Sequence, residues 1–153
     1  AHLDILARGA LWDAGLDFNH GTGHGVGYLL NVHEGPQNIN WNSGIRPGGM
    51  IPLEEGVLIS DEPGLYLEGK YGIRCENLLM CKKAEKNDYA QFMNFEVVTL
   101  VPFEREAIIP ELLGETELKW LNEYHKHVYE VVEPLLENKE EKEWLKEATA
   151  EIK

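Results

Sequence analysis

Four glycines at alternating positions restrict the fold of this chain more than any other feature. The stretch from residue 20 to residue 36 reads HGTGHGVGYLLNVHEGP, and its first glycines are Gly21, Gly23, Gly25 and Gly27. Each of them would cost a helix about 1 kcal/mol relative to alanine, so a helix is excluded here. Glycine lets a neighbouring strand or a ligand approach the backbone closely, and we therefore expect an extended, tightly approached segment.

The histidines of this stretch suggest two standard motifs, and neither fits. His20 and His24 have the spacing of the H-E-x-x-H zinc helix, but the second position is Gly21. A phosphate-binding loop is excluded because the glycines run G-x-G-x-G-x-G and no Gly-Lys-Ser/Thr follows. Side chains alternate along an extended segment, which predicts that His20, Thr22 and His24 share one face. The histidines are then either partly buried hydrogen-bonding groups or parts of a site, and the spacing leaves both open.

Composition excludes several classes of function. No apolar run approaches the roughly 20 residues that span a bilayer, and the first ten residues lack the pattern of a signal peptide. We therefore expect a cytoplasmic protein without a membrane partner. The net charge of −13 repels phosphate backbones, so we expect no nucleic-acid partner.

The periodicity of the first two thirds predicts one helix followed by antiparallel strands. Apolar residues at helical spacing run from Leu3 to Ala14, and Gly15 predicts a left-handed helix stop. A loop rich in Asn, Gly and Pro is expected from Gly35 to Gly49. Strands are expected at residues 57–61, 64–67, 71–81 and 92–101. Their short connections indicate antiparallel pairing.

Two cysteines fall in the third of these strands. Six steps of about 3.3 Å would place Cys75 and Cys81 about 20 Å apart, which is too far for a disulfide. We therefore expect two free thiols, as is usual in a reducing compartment.

After Pro110 the pattern becomes helical. Apolar or aromatic residues repeat at intervals of 3, 4, 3, 4 and 3, at Leu118, Leu121, His125, Val128, Val132 and Leu135. This spacing predicts an amphipathic helix of about six turns. A second helix, rich in Lys and Glu, is expected around Trp144 and Leu145.

Two acidic stretches change the interpretation of the histidines. In SDEPGLY, Glu62 follows an apolar strand, and in GIRCEN, Arg74 and Glu76 alternate with apolar residues. A strand that presents Arg74 and Glu76 on one face forms either a surface ion pair or an ordered ligand site. Glu62, Glu76 and His24 are residue types that bind hard divalent ions. Carboxylates with one imidazole and no thiolate favour Mn²⁺, Co²⁺ or Fe²⁺ over structural zinc.

In this order, the motifs HGTGHGVG, LNVHEGP, DEPGLY and GIRCEN resemble the C-terminal half of the catalytic domain of the pita-bread metallopeptidases. The resemblance is strongest to the cytosolic Xaa-Pro aminopeptidases and extends essentially over the whole chain, including their C-terminal helical extension. It implies an α+β fold. Residues 1–110 would form the C-terminal half of the pita-bread domain, a curved antiparallel sheet with helices on one face, and residues 111–153 the extension.

The resemblance also implies two divalent metal ions held by Asp, Asp, His, Glu and Glu. By motif, His24 is the histidine ligand, Glu62 the first glutamate and Glu76 the bridging glutamate. Mn²⁺ is the expected ion, with Co²⁺ or Zn²⁺ as alternatives. The two aspartates lie upstream in the family, and no acidic residue of this chain matches them. The implied site is therefore incomplete in this chain, which we expect to be inactive alone.

Further roles transfer by motif. His20 and His33 correspond to the two non-ligand histidines beside the scissile bond, where they bind substrate and take part in catalysis. His33 would donate to the developing oxyanion, and Arg74 would orient Glu76. Glu62 would also carry a proton to the leaving proline nitrogen.

The implied function is hydrolysis of the bond between an N-terminal residue and a following proline, in a peptide with proline second. Half of a pita-bread sheet would expose an edge and an apolar face. We therefore expect the missing N-terminal half of the same protein, or a second copy in a homodimer, as partner. The alternatives are a prolidase-type Xaa-Pro dipeptidase and a non-catalytic pita-bread module that binds peptides or proteins.

Overall fold

The structure is a computed structural model that describes residues 2–42 and 51–153. The chain divides into two compact units, Ala1–Thr99 and Leu100–Lys153. The domain boundary expected at residue 110 stays a prediction. Of the expected loop from Gly35 to Gly49, the part from residue 43 onward lies outside the described residues.

The described part of the first unit combines one helix with short antiparallel strands. The elements are α1 Asp4–Asp13, β1 Gly23–His24, β2 Asn38–Ile39, β3 Leu58–Asp61, β4 Gly64–Leu67, β5 Tyr71–Arg74, β6 Asn77–Lys86 and β7 Gln91–Val97. The strands form a sheet with the order β3-β6-β7 and two separate pairs, β1-β2 and β4-β5. Every pair is antiparallel, as the short connections predicted.

Helix α1 ends at the expected glycine. Gly15 has a φ of +70°, and the N–H of Leu16 donates to the carbonyl of Leu11 at 2.8 Å, which closes the helix in a Schellman motif. The apolar face of the helix, however, is exposed: Leu6 is 77% exposed, whereas Asp4 and Arg8 are buried. The polar side of α1 therefore packs on its own unit, and the apolar side is uncovered.

The core of this unit lies where β3 meets its neighbours. Ile59 is fully buried opposite Leu79 of β6, and Cys81 is buried opposite Phe95 of β7. Phe18 and Ile39 are the other buried apolar residues in the described part of this unit. These contacts fix β3, the strand that directly precedes Glu62.

The continuous strand expected from residue 71 to residue 81 is wrong. β5 ends at Arg74 and pairs with β4, whereas β6 begins at Asn77 and pairs with β3 and β7. At the break, the Cys75 N–H donates to the Pro63 carbonyl at 3.1 Å. The separation of Cys75 and Cys81 was estimated from one continuous strand, so that argument against a disulfide no longer holds. Both cysteines are nevertheless free.

The second unit is helical. It contains α2 Glu115–Val132 and α3 Lys139–Ala148, with 3₁₀ turns at Arg105–Ala107, Pro110–Leu112 and Glu133–Leu135. The α-helix predicted to reach Leu135 ends at Val132 and continues as the third of these turns, where a proline removes one N–H donor. No helix in residues 2–42 and 51–153 has the length and apolarity needed to cross a bilayer.

One histidine lies in the core of the second unit. His125 is fully buried beside Val128, and its Nε2 accepts a hydrogen bond from the Phe103 N–H at 3.1 Å. Burial lowers the pKa of His125, and the nearby Arg105 guanidinium lowers it further. The ring is therefore held neutral inside the folded unit.

Candidate active site

Five of the predicted site residues line one cleft of the first unit, with a volume of about 510 Å³. The residues around it are His20, Gly21, Gly23, His24, His33, Asn38, Asn40, Glu62 and Arg74. The cleft therefore brings together all three histidines of the glycine-rich stretch with one glutamate and one arginine.

The glycines allow the close approach that their spacing predicted. A Cβ atom added at Gly23 would overlap the carbonyl oxygen of Ser60, and one added at Gly25 would overlap the carbonyl oxygen of Glu34. Gly25 also forms an isolated antiparallel bridge with Ile59. Because no side chain fits between these backbones, β1 lies directly against β3 and places His24 beside Glu62.

The alternation expected for this segment is wrong at Thr22. The Thr22 side chain is buried, donates to Asp4 and lines a different groove, while His20 and His24 line the cleft. Only Gly23–His24 pairs as a strand here, so the regular alternation of a strand does not extend back to His20.

His24 and Glu62 form the centre of the cleft. The His24 Nε2 lies 3.0 Å from Glu62 Oε1, and Glu62 is only 7% exposed. The Ser60 hydroxyl donates to the same Oε1 at 3.0 Å and accepts the His24 N–H at 3.0 Å. The Glu62 N–H donates to the Thr22 carbonyl at 2.7 Å. Main chain and side chain of Glu62 are thus both held against the glycine-rich segment.

Both ring nitrogens of His24 face oxygen atoms. Nδ1 lies 2.9 Å from the carbonyl oxygen of Gly25, which can only accept, so Nδ1 carries a proton. In a neutral ring Nε2 then points a lone pair at the Glu62 carboxylate, and two acceptors at this distance need a proton or a cation between them. An imidazole nitrogen and a carboxylate are suitable donors for a divalent transition ion. This pair therefore fits part of a metal site.

The third predicted ligand does not join this pair. Glu76 is exposed and lies in the break between β5 and β6, and it does not line the cleft. Across residues 2–42 and 51–153, no three His, Cys, Asp or Glu side chains are grouped so that they could hold a metal ion. The assignment of Glu76 as a ligand stays a prediction.

Arg74 contacts a different glutamate from the one expected. Its Nη1 lies 3.3 Å from Glu62 Oε2, and its Nε donates to the Tyr66 hydroxyl at 2.8 Å. The hydrogen bond with Tyr66 raises the pKa of Arg74, and the charges of Glu62 and Glu76 add to this. In this structure Arg74 therefore orients Glu62, while Glu76 acts on it only through its charge.

Tyr66 belongs to the site and was missed in the sequence. Its hydroxyl lies 2.9 Å from His20 Nε2 and accepts from Arg74, so it links two predicted site residues. The signal was the hairpin: β4 and β5 pair Gly64 with Arg74, and Tyr66 is then the diagonal neighbour of Arg74 on the same face.

His33 completes the wall of the cleft. It is exposed, and its ring lies edge-on to the His24 ring with 4.3 Å between the centroids. The His20 ring contacts Tyr66 and Phe18 instead. His20 and His33 therefore lie at different positions along the cleft. The His33 ring contacts His24, whereas the His20 ring contacts Phe18 and Tyr66.

Known proteins match the chain in sequence and in structure. The model of metallopeptidase family M24 matches residues 1–83, and that of the C-terminal region of peptidase_M24 matches residues 91–152. Aminopeptidase P2 of Arabidopsis thaliana is 47% identical over 94% of this chain and 20% of its own length. A probable Xaa-Pro aminopeptidase P of Coprinopsis cinerea is 46% identical over 98% of this chain and 24% of its own length.

A solved structure is also similar. X-prolyl aminopeptidase from Caenorhabditis elegans, described as a cytosolic enzyme with a di-nuclear active site, matches with a TM-score of 0.88 and 44% identity. The match covers 99% of this chain and 24% of that protein. The chain thus spans about a fifth to a quarter of the length of the relatives it matches.

These matches confirm the resemblance and the fold class predicted from the motifs. The mixture of helices and antiparallel sheets corresponds to part of the pita-bread peptidase structure, and the named relatives are Xaa-Pro aminopeptidases. The chain belongs to metallopeptidase family M24.

Proposed function

We propose that this chain supplies part of the active site of a dinuclear-metal aminopeptidase, which hydrolyses the bond between an N-terminal residue and a following proline. The observation that carries the proposal is the His24–Glu62 pair, in which an imidazole nitrogen and a carboxylate oxygen lie 3.0 Å apart in a cleft that two further histidines also line. The names of the relatives support the reaction, and the di-nuclear site of the C. elegans enzyme supports two metal ions.

When bound, two metal ions would lower the pKa of a water molecule and polarise the scissile carbonyl. His24 and Glu62 would hold an ion, with Glu76 as the further ligand that the family motif assigns. Arg74 fixes the orientation of Glu62 through Oε2. His33 donates a hydrogen bond to the oxygen that becomes negative, and His20 binds the substrate beside it. Glu62 carries a proton to the proline nitrogen as it leaves. We propose Mn²⁺ as the ion, with Co²⁺ or Zn²⁺ as alternatives, because carboxylate donors suit a hard divalent ion.

The remaining two ligands come, in this proposal, from the part of the relatives that the chain does not match. An uncovered groove on the first unit supports this. It is lined by Leu3, Leu6, Ala7, Thr22, Ile39, Asp61, Pro63, Leu79 and Phe95. Burial raises the pKa of Asp61, and the neighbouring Glu62 raises it further. An apolar groove with one half-buried acid fits a protein surface with apolar side chains and a hydrogen-bond donor. We assign this groove to the N-terminal half of the same protein, a homodimer being the competing occupant.

We also propose a cytoplasmic location, as for the C. elegans relative, which is described as cytosolic. Two free cysteines in the chain are compatible with a reducing compartment.

The experiment is metal analysis and peptide hydrolysis on the whole parent protein, with an Xaa-Pro-Xaa peptide and an Xaa-Pro dipeptide. The variant His24→Ala should lose bound metal and cleavage. His127→Ala removes an exposed histidine of the second unit and should lose neither. Cleavage of the longer peptide supports an aminopeptidase, and cleavage of the dipeptide alone indicates a prolidase-type enzyme. A parent protein with neither metal nor cleavage would indicate a binding module and refute the proposal.

A further inference from the structure

A fully buried ion pair lies next to the glycine-rich segment, outside the cleft. Arg8 and Asp4 are each 1% exposed, and Arg8 Nε donates to Asp4 Oδ2 at 2.7 Å. Burying two charges costs several kcal/mol per ion before their attraction offsets it. Helix α1 would gain its small i, i+4 stabilisation equally well from an exposed pair. The burial of this pair therefore requires another explanation.

The other donors of Arg8 hold the backbone that carries His20. Its Nη1 donates to the Phe18 carbonyl and its Nη2 to the His20 carbonyl, both at 2.6 Å. The guanidinium also lies 3.8 Å from the centroid of the Phe18 ring, and that ring contacts the His20 ring. Arg8 therefore fixes both the main chain and the ring environment of His20.

Asp4 holds the next part of the same segment. The hydroxyl of Thr22, which is 1% exposed, donates to Asp4 Oδ1 at 2.8 Å. The carbonyl of Thr22 accepts the N–H of Glu62 at 2.7 Å. Thr22 thus connects the buried pair directly to the main chain of the glutamate in the cleft.

We propose that Arg8 and Asp4 are positioning residues that set the placement of His20 relative to the His24–Glu62 pair. Arg8 acts through the carbonyls of Phe18 and His20, and Asp4 acts through Thr22. The inference rests on the proposed function, because it names what holds that site in place. None of the three residues lines the cleft, so they act only through the residues they hold.

The glycines make such an anchor necessary. Gly21 and Gly23 have no side chains with which to pack, so hydrogen bonds must restrict the segment between the two histidines. A displacement of about 1 Å can cost a reaction about 100-fold in rate. A rigid fork of donors on a buried arginine is suited to this restriction, whereas a lysine offers one rotatable point charge.

The experiment compares four variants in the whole parent protein. Thr22→Val removes the hydroxyl and keeps the shape, Thr22→Ser keeps the hydroxyl, and Arg8→Lys keeps the charge but loses the fork. Asp17→Asn is the matched control, because Asp17 is half-exposed and an amide oxygen still accepts from Arg8 Nη1. We expect Thr22→Val to lower kcat/KM about 10-fold and Arg8→Lys about 100-fold, with bound metal unchanged. Thr22→Ser and Asp17→Asn should stay within about two-fold of wild type.

Hydrogen exchange provides a readout that needs neither activity nor metal. In Thr22→Val the amides of residues 20–25 should exchange faster, while those of β6 keep their protection. If the wild-type parent cleaves no peptide, the proposed function fails, but this measurement still tests the positioning role. A Thr22→Val variant with wild-type kcat/KM and wild-type hydrogen exchange would overturn the inference. So would a loss of protection that spreads through β6 and β7, since this would show a purely structural role.

Discussion

Of the two glycines that line the cleft, Gly23 should disturb the site more when it is replaced by alanine. The added Cβ would overlap the carbonyl oxygen of Ser60, which is a main-chain atom of β3. Ser60 is fully buried and paired with Leu78 of β6, so that carbonyl cannot move without moving the sheet. β1 must therefore move away from β3, and the distance between His24 and Glu62 must increase.

The magnitude follows from the cost of overpacking. Forcing an extra methyl group into a packed region typically costs 1–3 kcal/mol, which corresponds to a fall in melting temperature of about 2–12 °C for a chain of this size. Gly9 gives the matched control, because it lies within α1 and has no neighbour within 4 Å of an added Cβ. Gly9→Ala should stabilise the helix by about 0.5–1 kcal/mol and raise the melting temperature by about 1–4 °C.

The assay is thermal unfolding of both variants, followed by circular dichroism, together with metal binding by the parent protein. Gly23→Ala should lower both stability and metal affinity, whereas Gly9→Ala should raise stability and leave metal affinity unchanged. Equal melting temperatures for the two variants would refute the close approach of β1 and β3. Unchanged metal affinity in Gly23→Ala would show that this approach does not set the His24–Glu62 distance.

Three further predictions follow from single contacts. Glu62→Gln should weaken metal binding by more than about 100-fold, because loss of even an outer hydrogen-bond partner of a metal ligand costs roughly 10- to 100-fold. Calorimetric titration with Mn²⁺ measures the affinity, and an unchanged affinity would show that Glu62 is not a ligand. The pKa of His125 is lower in the folded than in the unfolded state, so the unfolded state binds more protons below about pH 6.5 and stability should fall there. In His125→Gln the free energy of unfolding, measured with urea, should differ less between pH 7.5 and pH 5. An equally large difference would show that another group causes the fall in stability. Lys83→Gln removes an exposed ion pair with Glu55 and should leave the free energy of unfolding almost unchanged, so a clear loss of stability would contradict the surface character of this pair.

Much of the fold could be predicted because it follows from local chemistry. Gly15 stops α1 where a left-handed residue was expected, and Gly56 and Gly69, with φ of +87° and +71°, lie in the connections before β3 and between β4 and β5. The strand at Gly64–Leu67 was predicted to the residue. Turn glycines and short apolar runs act over a few residues, so their effects can be deduced from the sequence alone.

The features that were missed depend on contacts between distant parts of the chain. Nothing local to Arg8 shows that it reaches the carbonyl of His20. The helical spacing of the apolar residues likewise does not show that Asp4 and Arg8 would be the buried side chains of α1. The break at Cys75 depends on which strand each neighbour pairs with. Tyr66 joins the site only because the β4–β5 hairpin places it diagonally to Arg74.

The central claim is that His24 and Glu62 bind a metal ion together. Anomalous diffraction from crystals of the parent protein grown with Mn²⁺, recorded at the manganese edge, tests it most directly. The account predicts two neighbouring peaks in the cleft, one of them bonded to both His24 Nε2 and a Glu62 carboxylate oxygen. A cleft without an anomalous peak, or peaks bonded to neither residue, would contradict it.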